Sequence, residues 1–257
     1  MFINSFTPKI ISFGNNFTKH KTEYKFANSY DSFTRNNCDN NEIKNDIEYN
    51  KTLEKIYSYK NKSGKLIYNY QQNIKDYPKV TKDEEGLLLY AGSSDINDDI
   101  NRYLSNRPMK ELNVEIAKDI VNVTDYALNK LDNKYGKYSG IVYRNGIVPE
   151  NNTQYISTST CPDIAATLYG GVCILNDLDF AIIKTNNGHK INEFQRDMES
   201  EYAEDEEEIL LPRTSKFNEI KHPQGELLKE KNNFIKILET YAHKTINPSR
   251  VKVYEEK

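Results

Sequence analysis

The clearest hydrophobic pattern along the chain has the period of an α-helix. Between positions 112 and 131, apolar residues recur every three or four positions, at Leu112, Ile116, Ile120, Val123, Ala127 and Leu131. This spacing places them on one face of a helix, and Gly136 follows where a helix stop is expected. A shorter run has the same spacing, at Ile96, Ile100 and Leu104. The pattern predicts a helical subdomain over residues 80–136, within a mainly helical N-terminal part that begins at residue 41.

After residue 136 the pattern changes to short apolar runs separated by polar turns. It predicts six strands, at Ile141–Arg144, Gln154–Ser159, Phe180–Ile183, Glu208–Leu211, Phe217–Ile220 and Phe234–Tyr241. A turn is predicted at Asn186–Gly188, after the third strand. Helices followed by several short strands are typical of an α+β fold rather than of repeated βαβ units. The β-rich core then covers residues 137–257, in one domain that begins near residue 80.

The first 40 residues are rich in Asn, Ser, Thr, Lys and Asp and have no sustained hydrophobic period. Such a segment buries too little apolar area to offset the entropy lost on ordering, so we expect a weakly structured leader. Two interpretations stay open with equal weight. Polar leaders of this kind precede bacterial effectors that are exported without a cleaved signal peptide, and an ordinary flexible terminus has the same composition.

Composition and motifs exclude several classes of protein. The net charge of −3 argues against a surface that binds nucleic acid over the whole protein. No apolar run approaches the roughly 18 residues of a membrane span. The three cysteines form no CxxC pair and the four histidines have no metal-like spacing, so we expect no metal site. The GxGxxG and GxxxxGK(S/T) phosphate loops are absent, which argues against Rossmann and P-loop proteins.

Three polar features lie at the ends of predicted strands: Arg144, the run Ser157–Ser159, and the run Glu206–Glu208. Alternation along a strand would place Glu206 and Glu208 on one face, with Glu207 on the other. Two carboxylates on one face beside an apolar strand are unfavourable unless a function needs them. A reaction that passes through a sugar oxocarbenium ion is one such function.

In that reaction, one carboxylate stabilises the positive charge and holds a ribose hydroxyl, while its neighbour orients the nucleophile. Arg144 is suited to pair with a phosphate through two parallel hydrogen bonds. The hydroxyl of Ser157 would hold the carboxylate in place through a hydrogen bond. Each feature also has a plainer interpretation: a surface arginine, a common polar run and a solvated acidic stretch. The pair Asp205 and Glu207, which would face the other way, is the alternative register.

Taken together and in this order, the motifs resemble the mono-ADP-ribosyltransferase toxins and effectors of the arginine–serine–glutamate class. The matching pieces are Tyr143-Arg144-Asn145-Gly146, Tyr155-Ile156-Ser157-Thr158-Ser159, and Glu206-Glu207-Glu208 followed by Ile209-Leu210-Leu211-Pro212. Upstream, Tyr90-Ala91-Gly92-Ser93-Ser94 resembles the helical lead-in of the family. The resemblance covers roughly residues 80–241. The glycine after the arginine comes one place later than in the family pattern, at Gly146.

The resemblance implies two small β-sheets packed at an angle, flanked by helices, with NAD held in the cleft between them. Arg144 would contact the NAD phosphates, Ser157 would orient the catalytic carboxylate, and Glu208 would bind the ribose and stabilise the oxocarbenium ion. Glu206 would position the acceptor. The catalytic set is therefore Arg144, Ser157, Glu206 and Glu208, and the residues expected to bind NAD are Arg144, Asn145, Ser157, Thr158, Ser159 and Glu208.

The resemblance further implies transfer of ADP-ribose to a protein, and Glu at position 206 favours arginine as the acceptor. The segment from Phe194 to Asp205, with Tyr202 in it, would meet the target protein. We expect a secreted effector that acts as a monomer on a host protein in the target-cell cytosol. Three alternatives stay open: an NAD glycohydrolase, an enzyme acting on threonine or a nucleic-acid base, and an inactive protein-binding module.

Overall fold

The computed structural model describes residues 40–91, 94–167, 179–197 and 207–257, with helices before residue 136 and both strands and helices after it. The leader predicted over residues 1–40 lies outside these ranges except for its last residue. The described helices are α1 (Asn40–Ile56), α2 (Tyr70–Asp76), α3 (Glu85–Ala91), α4 (Ser94–Leu104), α5 (Val114–Tyr135), α6 (Pro162–Thr167), α7 (Ile191–Asp197) and α8 (Gly225–Ala242). Short 3-10 helices lie at Lys82–Glu84 and Pro248–Arg250. None of these described helices is long and apolar enough to cross a membrane.

The long helix predicted from the apolar repeat is α5, and its ends are set by the residues expected to set them. The side chain of Asn113 accepts a hydrogen bond from the backbone N–H of Ile116 at 2.9 Å, which caps the first turn. Gly136 ends the helix with φ 73°, a conformation that glycine adopts without steric cost. The buried face of α5 packs on α3, where a Cβ on Gly86 would lie 2.2 Å from the carbonyl oxygen of Val123. Helix α4 packs against both α3 and α5.

The strands form one mixed sheet, which confirms the predicted α+β class. They are β1 (Lys137–Asn145), β2 (Ile156–Ser159), β3 (Phe180–His189), β4 (Glu208–Leu211), β5 (Phe217–Glu219) and β6 (Val251–Glu256). One group pairs β1 with β3 and β5 with β6 antiparallel, and β3 with β6 parallel. The second group is the antiparallel pair β2 and β4. Single residue pairs join the groups, Tyr143 with Ser159 and His189 with Leu210.

One expectation for the second half of the chain is wrong, and one strand was not predicted. The segment Phe234–Tyr241, predicted as a strand, is part of α8, in which Phe234, Ile235 and Leu238 are buried. These positions follow the helical period, and the charged residues between them lie on the exposed side. The strand β6 was not predicted, although its buried residues Val251 and Val253 alternate with Lys252 as a strand requires.

The turn predicted at Asn186–Gly188 is also wrong, because β3 continues through it to His189. Gly188 pairs with Tyr138 of β1, and a Cβ at this glycine would lie 2.5 Å from Cγ2 of Ile209. The glycine therefore serves a close approach of β3 to β4 rather than a reversal of the chain. The extension brings β3 to the start of α7, which lies next to β4 and supplies part of the site described below.

Candidate active site

A cavity of about 510 Å³ opens between the helices of the first half and the strands β1, β2 and β4. Residues of α3, α4, α6 and α7 complete its walls. The lining consists of Leu87, Tyr90, Ala91, Asn97, Asn101, Tyr143, Arg144, Asn145, Gln154, Tyr155, Ser157, Thr158, Ser159, Ile164, Ala165, Ile191, Gln195, Glu208 and Leu210. Its volume lies within the roughly 300–1,000 Å³ typical of small-molecule and cofactor sites.

Six of the residues singled out in the sequence meet in this cavity: Arg144, Asn145, Ser157, Thr158, Ser159 and Glu208. The pairing of the strands explains why. Ser157 lies opposite Leu210 and Ser159 lies opposite Glu208, so these alternate positions of β2 and β4 share one face of the sheet. The pair between Tyr143 and Ser159 places the end of β1, with Arg144, beside the end of β2.

Glu208 is the first residue of β4, half-buried, and both oxygens of its carboxylate accept hydrogen bonds. The hydroxyl of Ser157 donates to Oε1 at 2.7 Å, which is the contact that the sequence predicted. Nε2 of Gln195, on α7, donates to Oε2 at 3.1 Å. Hydrogen bonds to the charged form of a carboxylate stabilise that form. The carboxylate is therefore held between β2 and α7 at the wall of the cavity.

The residue before Glu208 departs from strand geometry. Glu207 has φ 43°, in the left-handed region, and its side chain accepts a hydrogen bond from the hydroxyl of Thr160. The backbone N–H of Thr160 also donates to the carbonyl oxygen of Glu207 at 3.2 Å. Strand alternation therefore begins at Glu208 and does not extend back through Glu207, so the alternation argument for Glu206 does not hold. Glu206 itself lies outside the described residues, as do Asp205 and Tyr202.

Arg144 lies near the end of β1, paired with Ala181 of β3, and its side chain is half-buried. Its Nε donates to the carbonyl oxygen of Asn145 at 3.1 Å, which turns the guanidinium along the end of the strand. Gly146 then leaves the strand with φ 88°, and its N–H donates to the carbonyl oxygen of Asp179 at 2.8 Å. The turn after the arginine thus depends on this glycine, one place later than in the family pattern.

The other two residues of the serine–threonine–serine run use their hydroxyls within the protein. The hydroxyl of Thr158 donates to the carbonyl oxygen of Ile209 at 2.6 Å, on the face of β2 opposite to Ser157. Oγ of Ser159 accepts a hydrogen bond from the backbone N–H of Cys161 at 3.0 Å. Both residues are buried, whereas Ser157 is exposed. Thr158 and Ser159 therefore shape the end of β2, and Ser157 presents its hydroxyl to Glu208.

Two tyrosines form the helical side of the cavity. The rings of Tyr90 and Tyr155 meet edge to face, with centroids 4.8 Å apart. Burial raises the pKa of the Tyr90 hydroxyl, and the negative charge of Glu208 raises it further, whereas the hydrogen bond from Asn101 and the charge of Arg144 oppose the rise. Tyr90 lines the same cavity as Arg144 and Glu208.

The hydroxyl of Tyr155 is held by the ion pair of Asp125 and Arg213. Its hydroxyl donates to Oδ1 of Asp125 at 2.5 Å, and Arg213 donates to Oδ2 of the same carboxylate at 2.7 Å. Burial, with the charge of Asp125, raises the pKa of Tyr155 and keeps the hydroxyl protonated. Asp125 lies on α5 and Arg213 follows β4, so this contact joins the helices to the sheet beside the cavity.

Sequence reasoning missed Gln195, and it assigned the wrong surroundings to Phe194. The segment Phe194–Asp205 was expected to meet a target protein, but Phe194 is 1% exposed and belongs to α7. The helical spacing of Ile191 and Gln195 was the available signal, since positions four apart share a helix face and both line the cavity. Among the described residues, no group of three or more His, Cys, Asp and Glu side chains could hold a metal ion.

No protein-family model matches the sequence, and no curated protein matches it. Three solved structures are similar in fold. ADP-ribosyltransferase HopU1 of Pseudomonas syringae pv. Tomato DC3000 is 14% identical over 82% of this chain and 97% of that chain, with TM-score 0.47. The type III effector XopAI from Xanthomonas axonopodis pv. citri is 13% identical over 82% and 74%, with TM-score 0.44. The eucaryotic mono-ADP-ribosyltransferase ART2.2 is 18% identical over 85% and 79%, with TM-score 0.40. At these identities the likeness concerns the fold and assigns no residue a role.

Proposed function

We propose that the protein is a mono-ADP-ribosyltransferase that cleaves NAD and transfers ADP-ribose to a protein, with arginine as the acceptor. The observation that carries the proposal is the hydrogen bond from Ser157 to Glu208 within a cavity that Arg144 also lines. The three residues come from three different strands, and the sequence motifs named the same three side chains. A surface arginine, a chance polar run and a solvated acid would have no reason to converge on one cavity.

NAD binding in this proposal uses the cation and the polar wall of the cavity. The guanidinium of Arg144 contacts the phosphates, because its planar group can form two parallel hydrogen bonds to phosphate oxygens. Asn145 and the run Ser157–Ser159 form the wall beside the nicotinamide half. The remaining lone pairs of Glu208 accept hydrogen bonds from the ribose on the nicotinamide side. NAD is then the substrate that supplies ADP-ribose, and no metal takes part.

The chemical step breaks the bond between ribose C1′ and the nicotinamide nitrogen. The electron pair of that bond leaves with nicotinamide, and positive charge develops on the ribose as an oxocarbenium ion. In this proposal the ribose binds beside the carboxylate of Glu208, so the carboxylate stabilises the transition state more than the ground state. A nitrogen of the acceptor guanidinium then bonds to C1′ and loses a proton to a base. Glu206 is the base in this proposal and also holds the acceptor.

Residues 198–206 bind the acceptor protein in this proposal. Tyr202 contributes to recognition of the target protein there, and a glutamate at position 206 favours an arginine acceptor. The proposed enzyme is an exported effector that acts on a host protein in the target-cell cytosol. The protein acts as a monomer on that partner.

Incubation with isotopically labelled NAD and a host-cell lysate tests the proposal. We expect release of nicotinamide and a labelled protein band, in which mass spectrometry finds ADP-ribose on an arginine. The Glu208→Gln variant run in parallel should label nothing. Release of nicotinamide with no labelled protein would favour an NAD glycohydrolase, and the absence of both products would contradict the proposal.

Glu206→Gln should separate the two half-reactions. We expect transfer to arginine to fall about tenfold or more, because a guanidinium with a pKa above about 12 must be held and deprotonated by a carboxylate. Hydrolysis of NAD by water should stay within about threefold, since water needs little positioning. Both rates are measured on one preparation. Equal losses would place Glu206 at the ribose, and no loss in either would remove it from the site.

A further inference from the structure

Glu208 has a second hydrogen-bond donor that the motifs did not contain. Ser157 donates to Oε1 from β2, and Gln195 donates to Oε2 from α7 on the other side. We infer that Gln195 is a positioning residue, which fixes the plane of the Glu208 carboxylate so that it meets the ribose in the orientation that NAD cleavage needs. This inference rests on the proposed function and assigns that site a residue outside the three motifs.

A single donor would leave the carboxylate loosely oriented. The last torsion of a glutamate side chain is broad, so one hydrogen bond to Oε1 still permits the group to rotate about the donor. Donors on both oxygens, from a strand and from a helix, remove that freedom. Charge stabilisation and hydroxyl binding both lose effect when a group is misplaced by a fraction of an ångström. Gln195 therefore acts on the rate through the geometry of Glu208.

The surroundings of Gln195 favour an apolar residue, so an amide at this position indicates a role other than packing. Gln195 is 9% exposed, and its helix neighbours Ile191 and Phe194 are each 1% exposed. Its Oε1 is buried and has no hydrogen-bond partner among the described residues. A buried acceptor without a partner costs stability, whereas a methionine would fill similar space without that cost. A buried polar group that costs stability and has no structural benefit is expected at functional sites.

The uncharged state of this donor suits the chemistry. A lysine or arginine at position 195 would also hold Oε2, but its positive charge would oppose the oxocarbenium ion that Glu208 must stabilise. An ionised glutamate would repel Glu208 and offer no donor. A primary amide supplies an N–H and leaves the full negative charge of Glu208 directed at the ribose.

The structural alternative is that Gln195 fastens α7 to β4. The two roles make opposite predictions for Gln195→Met, which keeps the length of the side chain and removes the donor. If Gln195 stabilises the contact between α7 and β4, its replacement should lower the urea midpoint of unfolding. A positioning residue with an unpartnered buried oxygen leaves the urea midpoint unchanged or raises it, while the rate falls. Function gained at a cost in stability has this signature.

The experiment measures nicotinamide release from NAD and urea unfolding on the same preparations of full-length wild type, Gln195→Met, Gln195→Glu and Asn192→Ala. We expect Gln195→Met to lower kcat about tenfold or more, with KM within about threefold and a urea midpoint no lower than that of wild type. Gln195→Glu keeps the size of the side chain, and its kcat should fall at least as far. Asn192 lies on the same helix and outside the cavity lining, so Asn192→Ala controls for damage to α7.

Each other result overturns the inference. A kcat of Gln195→Met within threefold of wild type would show that Glu208 does not need the second donor. A higher KM with unchanged kcat would make Gln195 a binding group, and a lower urea midpoint together with lower kcat would make it structural. If Gln195→Met fails to fold, a Gln195→Glu variant with wild-type kcat decides against the inference. Wild type that releases no nicotinamide overturns the proposed function as well, so the two failures are distinguishable.

Discussion

Glu208→Gln is expected to lower kcat for nicotinamide release by roughly a thousandfold, which corresponds to about 4 kcal/mol of transition-state stabilisation. The substitution keeps the size of the side chain and removes its charge. It also places an amide where two donors now meet carboxylate oxygens, since Ser157 and Gln195 both donate to Glu208. One of these donors would then face an N–H. The loss therefore combines missing charge with a disturbed orientation.

The matched control for this variant is Glu207→Gln, one residue earlier in the chain. The side chain of Glu207 accepts from Thr160 and does not line the cavity, so kcat should stay within about threefold of wild type. Nicotinamide release is measured on both variants, and urea unfolding checks that both fold. The comparison shows whether activity needs the charge at Glu208 itself or only an acidic residue in this part of the chain. Activity of Glu208→Gln within threefold of wild type would contradict the assignment of Glu208.

Six residues of the cavity lining could be singled out from the sequence because they lie at or near the ends of predicted strands. Glu208 directly precedes three apolar residues that are buried in β4, so its place at the start of that strand follows from the pattern. Arg144 ends the predicted strand Ile141–Arg144, and Ser157 belongs to the polar run that ends the predicted strand Gln154–Ser159. What the sequence could not supply is the pairing of β2 with β4, which spans 51 residues from Ser157 to Glu208. The residue types suggested the contact, and the fold of the intervening chain makes it.

The missed features depend on tertiary contacts. Gln195 is one of several polar residues on a seven-residue helix, and its contact with Glu208 forms only when α7 packs beside β4. The left-handed conformation of Glu207 is stabilised by Thr160, which is 47 residues away, and a glutamate is not a residue that favours positive φ. The strand prediction for residues 234–241 failed because aromatic and β-branched residues are frequent in strands, while burial in α8 follows the helical period.

Arg144→Lys is expected to weaken NAD binding about a hundredfold, or about 2.7 kcal/mol, although the positive charge is kept. The guanidinium offers two parallel donors in a fixed plane, and its Nε is held by the carbonyl oxygen of Asn145 at the end of β1. A lysine ammonium is a compact point charge on a flexible stem, so it contacts one phosphate oxygen at a time and loses more side-chain entropy on binding. Both effects lower affinity without changing the net charge of the cavity.

Calorimetric titration with NAD measures this effect, and it is best made in the Glu208→Gln background so that NAD is not consumed during the titration. Arg107→Lys is the matched control, because Arg107 is exposed and does not line the cavity. The dissociation constant of Arg107→Lys for NAD should stay within about twofold of that of the Glu208→Gln background. The urea midpoints of both arginine variants should match that of the background. A dissociation constant for Arg144→Lys within the same twofold range would show that Arg144 does not contact the phosphates. In that case the convergence of Arg144 with Ser157 and Glu208 would need another explanation, and the position of NAD in the cavity would have to be reassigned.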